Sequence, residues 1–175
     1  GSVPDGVPAT YYRNWIFRTQ QVGVPAVLDA SGGLLCYGLT GKPWLVKPNR
    51  EEAQQLLGFS IRSLQRAKRA VKALCARGAA MAVLSLGDQG ALWASQKGSQ
   101  VWLATPPVLR AHSTVGSGDA LLAGLLHAQV LGRPWPQALA FSVACGSAAA
   151  QKPPGIFCTS REVAKLLPRV RLKRL

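Results

Sequence analysis

The fold class follows from a junction in residues 44–52, which read Trp44-Leu45-Val46-Lys47-Pro48-Asn49-Arg50-Glu51-Glu52. The apolar run that ends at Lys47 has the length and composition of a short buried strand, and the proline after it stops that strand. Asn49 with Glu52 three residues later is the spacing of a helix capping box. The junction therefore predicts a strand that leads directly into a helix.

The same alternation extends along the chain. Before the junction, the pattern predicts a helix over 11–21, a buried strand over 24–29 and a short helix over 33–39. After it, we expect an amphipathic helix over 61–77, a hairpin of strands 81–86 and 91–94, a strand over 101–104, and helices over 119–131, 136–151 and 161–167. This order is typical of an α/β fold with a mostly parallel sheet covered by helices. No internal repeat or linker interrupts the chain, so residues 1–175 are predicted to form a single domain.

Composition and charge exclude several classes of protein. The 175 residues are 48% hydrophobic and 16% charged, which excludes a disordered or collagen-like chain. Lys and Arg number 21 against 7 Asp and Glu, and the net charge of +14 favours acidic ligands or partners. The four cysteines form no C-x-x-C pair, and no apolar run is long enough to span a bilayer. We therefore expect a cytoplasmic protein with reduced thiols and no membrane partner.

A glycine-rich turn precedes the apolar helix predicted at 119–131, in the sequence Ser113-Thr114-Val115-Gly116-Ser117-Gly118-Asp119. The turn directs backbone N–H groups and the positive end of the helix to one place, with the Asp119 carboxylate beside them. This arrangement suits phosphoryl transfer, in which the N–H groups stabilise the moving phosphoryl group and the carboxylate accepts a proton. The alternative is that Asp119 is an ordinary acidic residue at a helix start.

Lys47, Asn49 and Glu52 form a second candidate site, since they follow a predicted strand and α/β proteins bind ligands at the carboxyl ends of strands. In one interpretation Lys47 contacts a phosphate while Asn49 and Glu52 position hydrated magnesium. In the other, Asn49 and Glu52 serve only as a capping box.

Two weaker features have alternative interpretations as well. The sequence Ser85-Leu86-Gly87-Asp88-Gln89-Gly90-Ala91 would bring backbone close to a nucleotide, but a hairpin turn explains its glycines equally well. Asp29, at the end of the first predicted strand, either lines the same cleft or caps the next helix.

Four motifs, in order along the chain, are together similar to those of the ribokinase-like PfkB carbohydrate kinase family: Gly1-Ser2-Val3-Pro4-Asp5-Gly6, Lys47-Pro48-Asn49-Arg50-Glu51-Glu52, Ser85-Leu86-Gly87-Asp88-Gln89-Gly90-Ala91 and Thr114-Val115-Gly116-Ser117-Gly118-Asp119. The resemblance covers essentially the whole chain and matches the rear part of the family's domain, so Gly1-Ser2 is interpreted as native sequence. Within the family, the first two motifs look most like those of 1-phosphofructokinase and tagatose-6-phosphate kinase.

The resemblance implies a three-layer α/β/α sandwich that lacks the family's N-terminal strands and lid. It also implies that Asp119 is the catalytic base. The other implied site residues are Gly116, Ser117 and Gly118 for an anion hole, Lys47 and Asn49 for ATP phosphates, Asn49 and Glu52 for Mg²⁺, and Ser85, Gly87 and Gly90 for the wall of the ATP site.

The implied reaction is ATP-dependent phosphorylation of a sugar phosphate, with fructose 1-phosphate as the leading substrate. Potassium is a further candidate cofactor, since Ser113 and Val115 could contribute oxygens. However, Lys152-Pro153-Pro154-Gly155 stands in the segment that in the family closes over adenine and helps to hold the cation. That departure leaves the potassium site unassigned.

Other functions stay open besides the kinase. The chain could be a tagatose-6-phosphate kinase, or a catalytically incomplete piece that binds nucleotide and transfers nothing. A nucleic-acid-binding module is less favoured, because only the basic helix at 61–77 and the tail Arg169-Val170-Arg171-Leu172-Lys173-Arg174 support it and no recognised nucleic-acid motif is present. A homodimer is also an open interpretation.

Overall fold

The computed structural model describes residues 3–175. Gly1 and Ser2, interpreted above as native sequence, lie outside the described residues. The described part of the chain contains seven α-helices: α1 Tyr11–Gln21, α2 Gly32–Thr40, α3 Arg50–Leu57, α4 Leu64–Ala76, α5 Ser117–Val130, α6 Trp135–Ala150 and α7 Ser160–Leu166. Within that same range, no helix has the length and apolar character needed to cross a membrane.

Between residues 3 and 175, six strands form one mixed sheet in the order β1-β2-β3-β4-β5-β6. They are β1 Val27–Leu28, β2 Leu45–Val46, β3 Met81–Ser85, β4 Ala91–Ser95, β5 Val101–Thr105 and β6 Arg171–Arg174. The first three strands are parallel, with Leu45 of β2 opposite Val27 on one side and Met81 on the other. β5 and β6 are antiparallel, with Leu103 opposite Lys173. The predicted α/β class is confirmed.

The helix α4 begins later than its apolar periodicity predicts. The Ser63 hydroxyl accepts a hydrogen bond from the N–H of Arg66 at 3.2 Å, which caps the helix and makes Leu64 its first residue. Ile61 precedes the helix and is buried. The helix predicted over 61–77 therefore begins three residues later, at Leu64, which is 42% exposed.

The chain divides into two compact units, Gly1–Ser85 with Trp93–Val101 and Leu86–Leu92 with Trp102–Leu175. In the first unit, β2 and β3 are buried, as predicted for short apolar strands in a parallel sheet. Val71 and Leu74 of α4 are also completely buried there. The interpretation of residues 1–175 as one family domain stays a prediction.

The second unit has a core at the end of α6, where Ala144 and Ala148 pack with Val163 and Leu166 of α7. Cys145 belongs to the same cluster, and burial raises the pKa of its thiol to about 12, with the nearby Cys158 adding to the shift. A thiol with so high a pKa stays protonated and acts as a small apolar residue.

The C-terminal basic segment is a strand rather than the tail expected from the sequence. Arg171–Arg174 forms β6 and pairs with β5, and all four residues are exposed. The alternation of Leu172 with Arg171 and Lys173 was a strand signal that the excess of charge concealed. Charged side chains on an edge strand discourage pairing with other chains.

Candidate functional site

The candidate residues of the first unit gather at the carboxyl ends of three parallel strands. Asp29 follows β1, Lys47 and Asn49 follow β2, and Ser85 ends β3. Backbone hydrogen bonds continue past the strands, since the N–H of Lys47 donates to Leu28 O at 3.0 Å. An isolated parallel bridge joins Asn49 to Ser85. The junction at residues 44–52 therefore brings Lys47, Asn49 and Ser85 to one edge of the sheet, as ligand sites in α/β folds require.

Lys47 is a buried charge held by an ion pair. Its Nζ lies 2.9 Å from Oδ2 of Asp29, and only 6% of the Lys47 side chain is exposed. Asp29 therefore faces the site, and Ser31, not Asp29, stands at the N-cap position of α2. Burial of a lone ammonium group would be costly, so the ion pair with Asp29 offsets that cost and holds the Lys47 side chain in position. An ammonium group has three donors, which leaves Lys47 able to contact an anion as well.

Asn49 and Glu52 form the capping box that the sequence suggests. Glu52 N–H donates to Asn49 Oδ1 at 2.9 Å, and Asn49 N–H donates to Glu52 Oε2 at 2.8 Å. The box uses one oxygen of each side chain and leaves Oε1 of Glu52 outside it. Magnesium binds oxygen ligands and retains several waters, so a carboxylate with one remaining oxygen fits a hydrated ion. The structural role of Glu52 is therefore compatible with a metal role, which stays a prediction.

Glu52→Gln separates the two interpretations of Glu52. Gln completes a capping box as Glu does, so the free energy of unfolding in urea should change by less than about 0.5 kcal/mol. If Glu52 serves magnesium, loss of its charge should raise the Mg²⁺ concentration needed for half-maximal ATP binding by about tenfold. The matched control is Glu162→Gln, because Thr159 and Glu162 form a second capping box on α7. An equal magnesium requirement in both variants would restrict Glu52 to capping.

The glycine-rich turn of the second unit leads into α5 as predicted. Gly116 precedes the helix with φ +77°, a left-handed conformation that favours glycine. Ser117 turns back on the loop, since its N–H and its hydroxyl both donate to Thr114 O, at 3.2 and 2.7 Å. The first-turn N–H groups of Gly118 and Asp119 have no acceptor four residues earlier inside the helix. They are available to an anion, and Asp119 is exposed beside them.

Helix α6 contacts the glycine-rich turn at two places. Ala150 O, at the end of α6, accepts hydrogen bonds from the N–H groups of His112 and Ser113, at 2.7 and 3.1 Å. Gly146 lies against the start of α5, where a Cβ would come within 3.0 Å of Ser117 O. These contacts fix the start of the turn and the start of the helix on one rigid support. Sequence reasoning missed them, because no local pattern shows which helix will carry a loop.

Gly87 and Gly90 lie in the hairpin turn that the sequence predicts between β3 and β4. The turn is a short 3₁₀ segment, Gly87–Gln89, closed by a hydrogen bond from Leu86 N–H to Gly90 O at 2.8 Å. Gly90 has φ +91°, and a Cβ there would lie 1.9 Å from Ala104 O. Gly87 has φ +64° and open space around it. The expected position of Ser85, Gly87 and Gly90 in an ATP site stays a prediction.

The segment after α6, in which the sequence departs from the family pattern, is tied to α7 by an ion pair. Lys152 Nζ contacts Glu162 Oε1, while Thr159 N–H and hydroxyl donate to Glu162 Oε2 at 2.8 and 2.9 Å. The hydrogen bond from Lys152 is the largest cause, and those from Thr159 the next, that hold the pKa of Glu162 at about 2. Lys152 thus acts as an anchor for this segment.

Glu162 should contribute to acid sensitivity. Its folded-state pKa lies below its ordinary value of 4.5, so its stabilising contacts are complete above pH 4.5 and are lost as the pH falls towards about 2. We expect the thermal midpoint of Glu162→Gln to lie below that of the unchanged protein at neutral pH, with the gap closing over this acid range. Lys152→Met should reproduce the effect because it removes the other partner. A gap that does not change with pH would contradict this origin of the shift.

Residues 1–162 match the pfkB family of carbohydrate kinases. The chain belongs to this family. The 1-phosphofructokinase of Haemophilus influenzae is 38% identical over 145 residues, which cover 82% of this pfkB chain and 46% of the relative. That of Bacillus subtilis is 32% identical over all 175 residues and 56% of its own length. The pfkB chain thus spans about half the length of the curated relatives that it matches.

Solved structures confirm the ribokinase-like fold of this pfkB chain. Escherichia coli phosphofructokinase-2 in complex with potassium has a TM-score of 0.89 and 29% identity, and the match covers 97% of this chain and 55% of that chain. Arabidopsis thaliana ribokinase complexed with ribose and ATP has a TM-score of 0.79 at 24% identity, covering 91% of this chain and 53% of that chain, and supports the fold alone.

Proposed function

We propose that this pfkB chain takes part in ATP-dependent phosphorylation of a sugar phosphate, with fructose 1-phosphate converted to fructose 1,6-bisphosphate. The observation that carries the proposal is the start of α5, where the exposed Asp119 lies beside first-turn N–H groups that have no intrahelical acceptor. The 1-phosphofructokinases of H. influenzae and B. subtilis, at 38% and 32% identity, support the choice of substrate.

The proposed chemical step needs a base and an anion site, and the α5 turn supplies both. As a sugar hydroxyl oxygen forms a bond to the γ-phosphorus of ATP, its proton passes to the Asp119 carboxylate and the bond to the ADP oxygen breaks. The N–H groups of Gly118 and Asp119, with the positive end of α5, stabilise charge on the transferred group. Gly116 and Ser117 shape the turn that points these donors outward.

The remaining candidate residues serve the nucleotide in this proposal. Lys47, held by Asp29, neutralises ATP phosphates. Asn49 and Glu52 hold magnesium through oxygen atoms or through its waters. Ser85, Gly87 and Gly90 line the ATP site, where glycine lets backbone approach the ligand closely. Mg²⁺, when bound, supplies charge neutralisation for the phosphates.

The test is ADP release from MgATP by the 175-residue chain, with fructose 1-phosphate, tagatose 6-phosphate and fructose 6-phosphate as acceptors, each with and without potassium. Potassium is included because the E. coli relative was solved in complex with it. ADP release that requires fructose 1-phosphate supports the proposal. Faster ADP release with tagatose 6-phosphate would make that sugar phosphate the substrate instead. ATP binding without transfer would identify a catalytically incomplete nucleotide-binding chain. Absence of ATP binding would overturn the proposal.

Self-association is part of the same proposal, in its simplest form a homodimer. The structure of E. coli phosphofructokinase-2 in a tetrameric inhibited form, with 29% identity to this chain, supports it. Sedimentation velocity over a range of protein concentrations measures this self-association directly. A monomeric mass at every concentration would contradict the homodimer.

A further inference from the structure

The helix α4 carries a concentrated positive charge that the proposed kinase chemistry does not use. Four basic residues, Arg66, Lys68, Arg69 and Lys72, lie on its exposed or half-exposed side, which we name the α4 basic face. The chain contains no Asp or Glu between Glu52 and Asp88. The helix therefore has no acidic neighbour in sequence that could neutralise the face.

The tertiary structure leaves this charge uncompensated as well. Within residues 3–175, none of the four side chains forms an ion pair with a carboxylate. Arg69 instead lies over the ring of Phe59, with its guanidinium carbon 5.0 Å from the ring centre. The contact covers an aromatic ring and orients Arg69, but it supplies no negative charge.

Like charges on the α4 basic face repel one another. Lys68 and Lys72 are four residues apart, and Arg69 lies three residues from both Arg66 and Lys72, so three like-charged pairs are neighbours on the helix. Arg66 also stands in the first turn, at the end of the helix that favours negative charge. A bound anionic partner would relieve these repulsions.

The α4 basic face is a rigid and partly apolar surface. Its opposite side is fixed in the core by Ala67, Ala70, Val71, Leu74 and Cys75. Leu64 lies in the same row as Lys68 and Lys72, at spacings of four, and is 42% exposed. An exposed leucine among basic residues matches a partner that combines carboxylates with an apolar side chain. A nucleic-acid backbone offers phosphates and no apolar group.

We propose that the α4 basic face docks an acidic segment of another protein, with carboxylates on Lys68, Arg69 and Lys72 and an apolar side chain on Leu64. Charge complementarity of this kind steers association and sets its specificity. The interaction is separate from phosphoryl transfer, so it stands whether or not the chain is an active kinase.

Fluorescence anisotropy with a labelled peptide of Glu-Glu-Leu-Glu repeats tests the proposal. The test variant carries Lys68→Glu, Arg69→Glu and Lys72→Glu, and its affinity for the peptide should fall about tenfold or more as attraction becomes repulsion. The matched control carries Lys97→Glu, Lys165→Glu and Arg169→Glu, which lowers the net charge equally at exposed positions elsewhere. Affinity of the control should stay within about twofold.

Further probes make each outcome decisive. A milder variant with Gln at the same three α4 positions should also lose affinity, and circular dichroism shows whether each variant is folded. Leu64→Ser should weaken binding of the Leu-containing peptide but should not weaken binding of a poly-Glu peptide. Equal losses in the test and control variants would overturn the proposal, because net charge alone would explain the binding. Failure of the acidic peptide to bind at low salt would also overturn the proposal. If an oligothymidylate binds more tightly than the peptide, the partner is a nucleic acid rather than an acidic protein segment.

Discussion

Asp119→Asn is expected to abolish sugar-dependent ADP release while ATP affinity is retained. Asn has nearly the same shape and can still stand in the first turn of α5, but it cannot accept the proton of the attacking hydroxyl. Loss of a general base costs about 10²- to 10⁴-fold in rate. The first-turn N–H groups that we propose bind phosphate belong to the backbone and remain in place. Turnover and ATP binding are measured on the same preparation, since the split between them identifies a base.

The control for this variant is Glu51→Gln. It removes one negative charge from an exposed residue in the first turn of α3, to which no chemical role is assigned. It should leave turnover close to that of the unchanged chain. A rate retained in Asp119→Asn would eliminate Asp119 as the base. Loss of ATP affinity together with turnover would instead mean that Asp119 helps to build the turn.

Gly90→Ala is expected to cause the largest loss of stability of any single methyl addition in the hairpin. The new Cβ would lie 1.9 Å from Ala104 O and 2.9 Å from Ala104 C, so backbone has to move. Its φ of +91° adds strain for any residue with a side chain. Together, overpacking and strain should lower the free energy of unfolding by about 3 kcal/mol or more. Urea unfolding monitored by circular dichroism measures this free energy.

Gly87→Ala provides the comparison, because Gly87 shares the turn and the positive φ but has nothing within 4 Å of a Cβ. Only conformational strain opposes a side chain at position 87, and we expect the free energy of unfolding to fall by about 1 kcal/mol. Equal losses in the two variants would show that φ alone, rather than the close approach to Ala104, requires glycine at position 90. If Gly87→Ala weakens ATP binding at nearly unchanged stability, the proposed ATP contact at Gly87 gains support.

Predictions from the sequence were accurate where all the residues that cause a structural feature lie in one short segment. The capping box of Asn49 and Glu52 needs only four consecutive residues, and both of its predicted hydrogen bonds form. The turn before α5 was likewise predictable, because Gly116 permits the left-handed conformation that precedes the helix and Asp119 places a negative charge in its first turn. Element boundaries were less accurate, as Leu64 shows, since the start of a helix depends on which residue can cap it.

The sequence by itself determined the α/β class, the order of the helices and of strands β1 to β5, and the similarity to the pfkB family. Hydrophobic periodicity, capping residues and motifs are local features of the sequence, so they can be identified without the tertiary structure. Only the tertiary structure decided that Asp29 holds Lys47, that Ala150 O anchors the loop before α5, and that Arg171–Arg174 is a strand. Each of these depends on a partner distant in sequence, and no local preference of the chain contains that information.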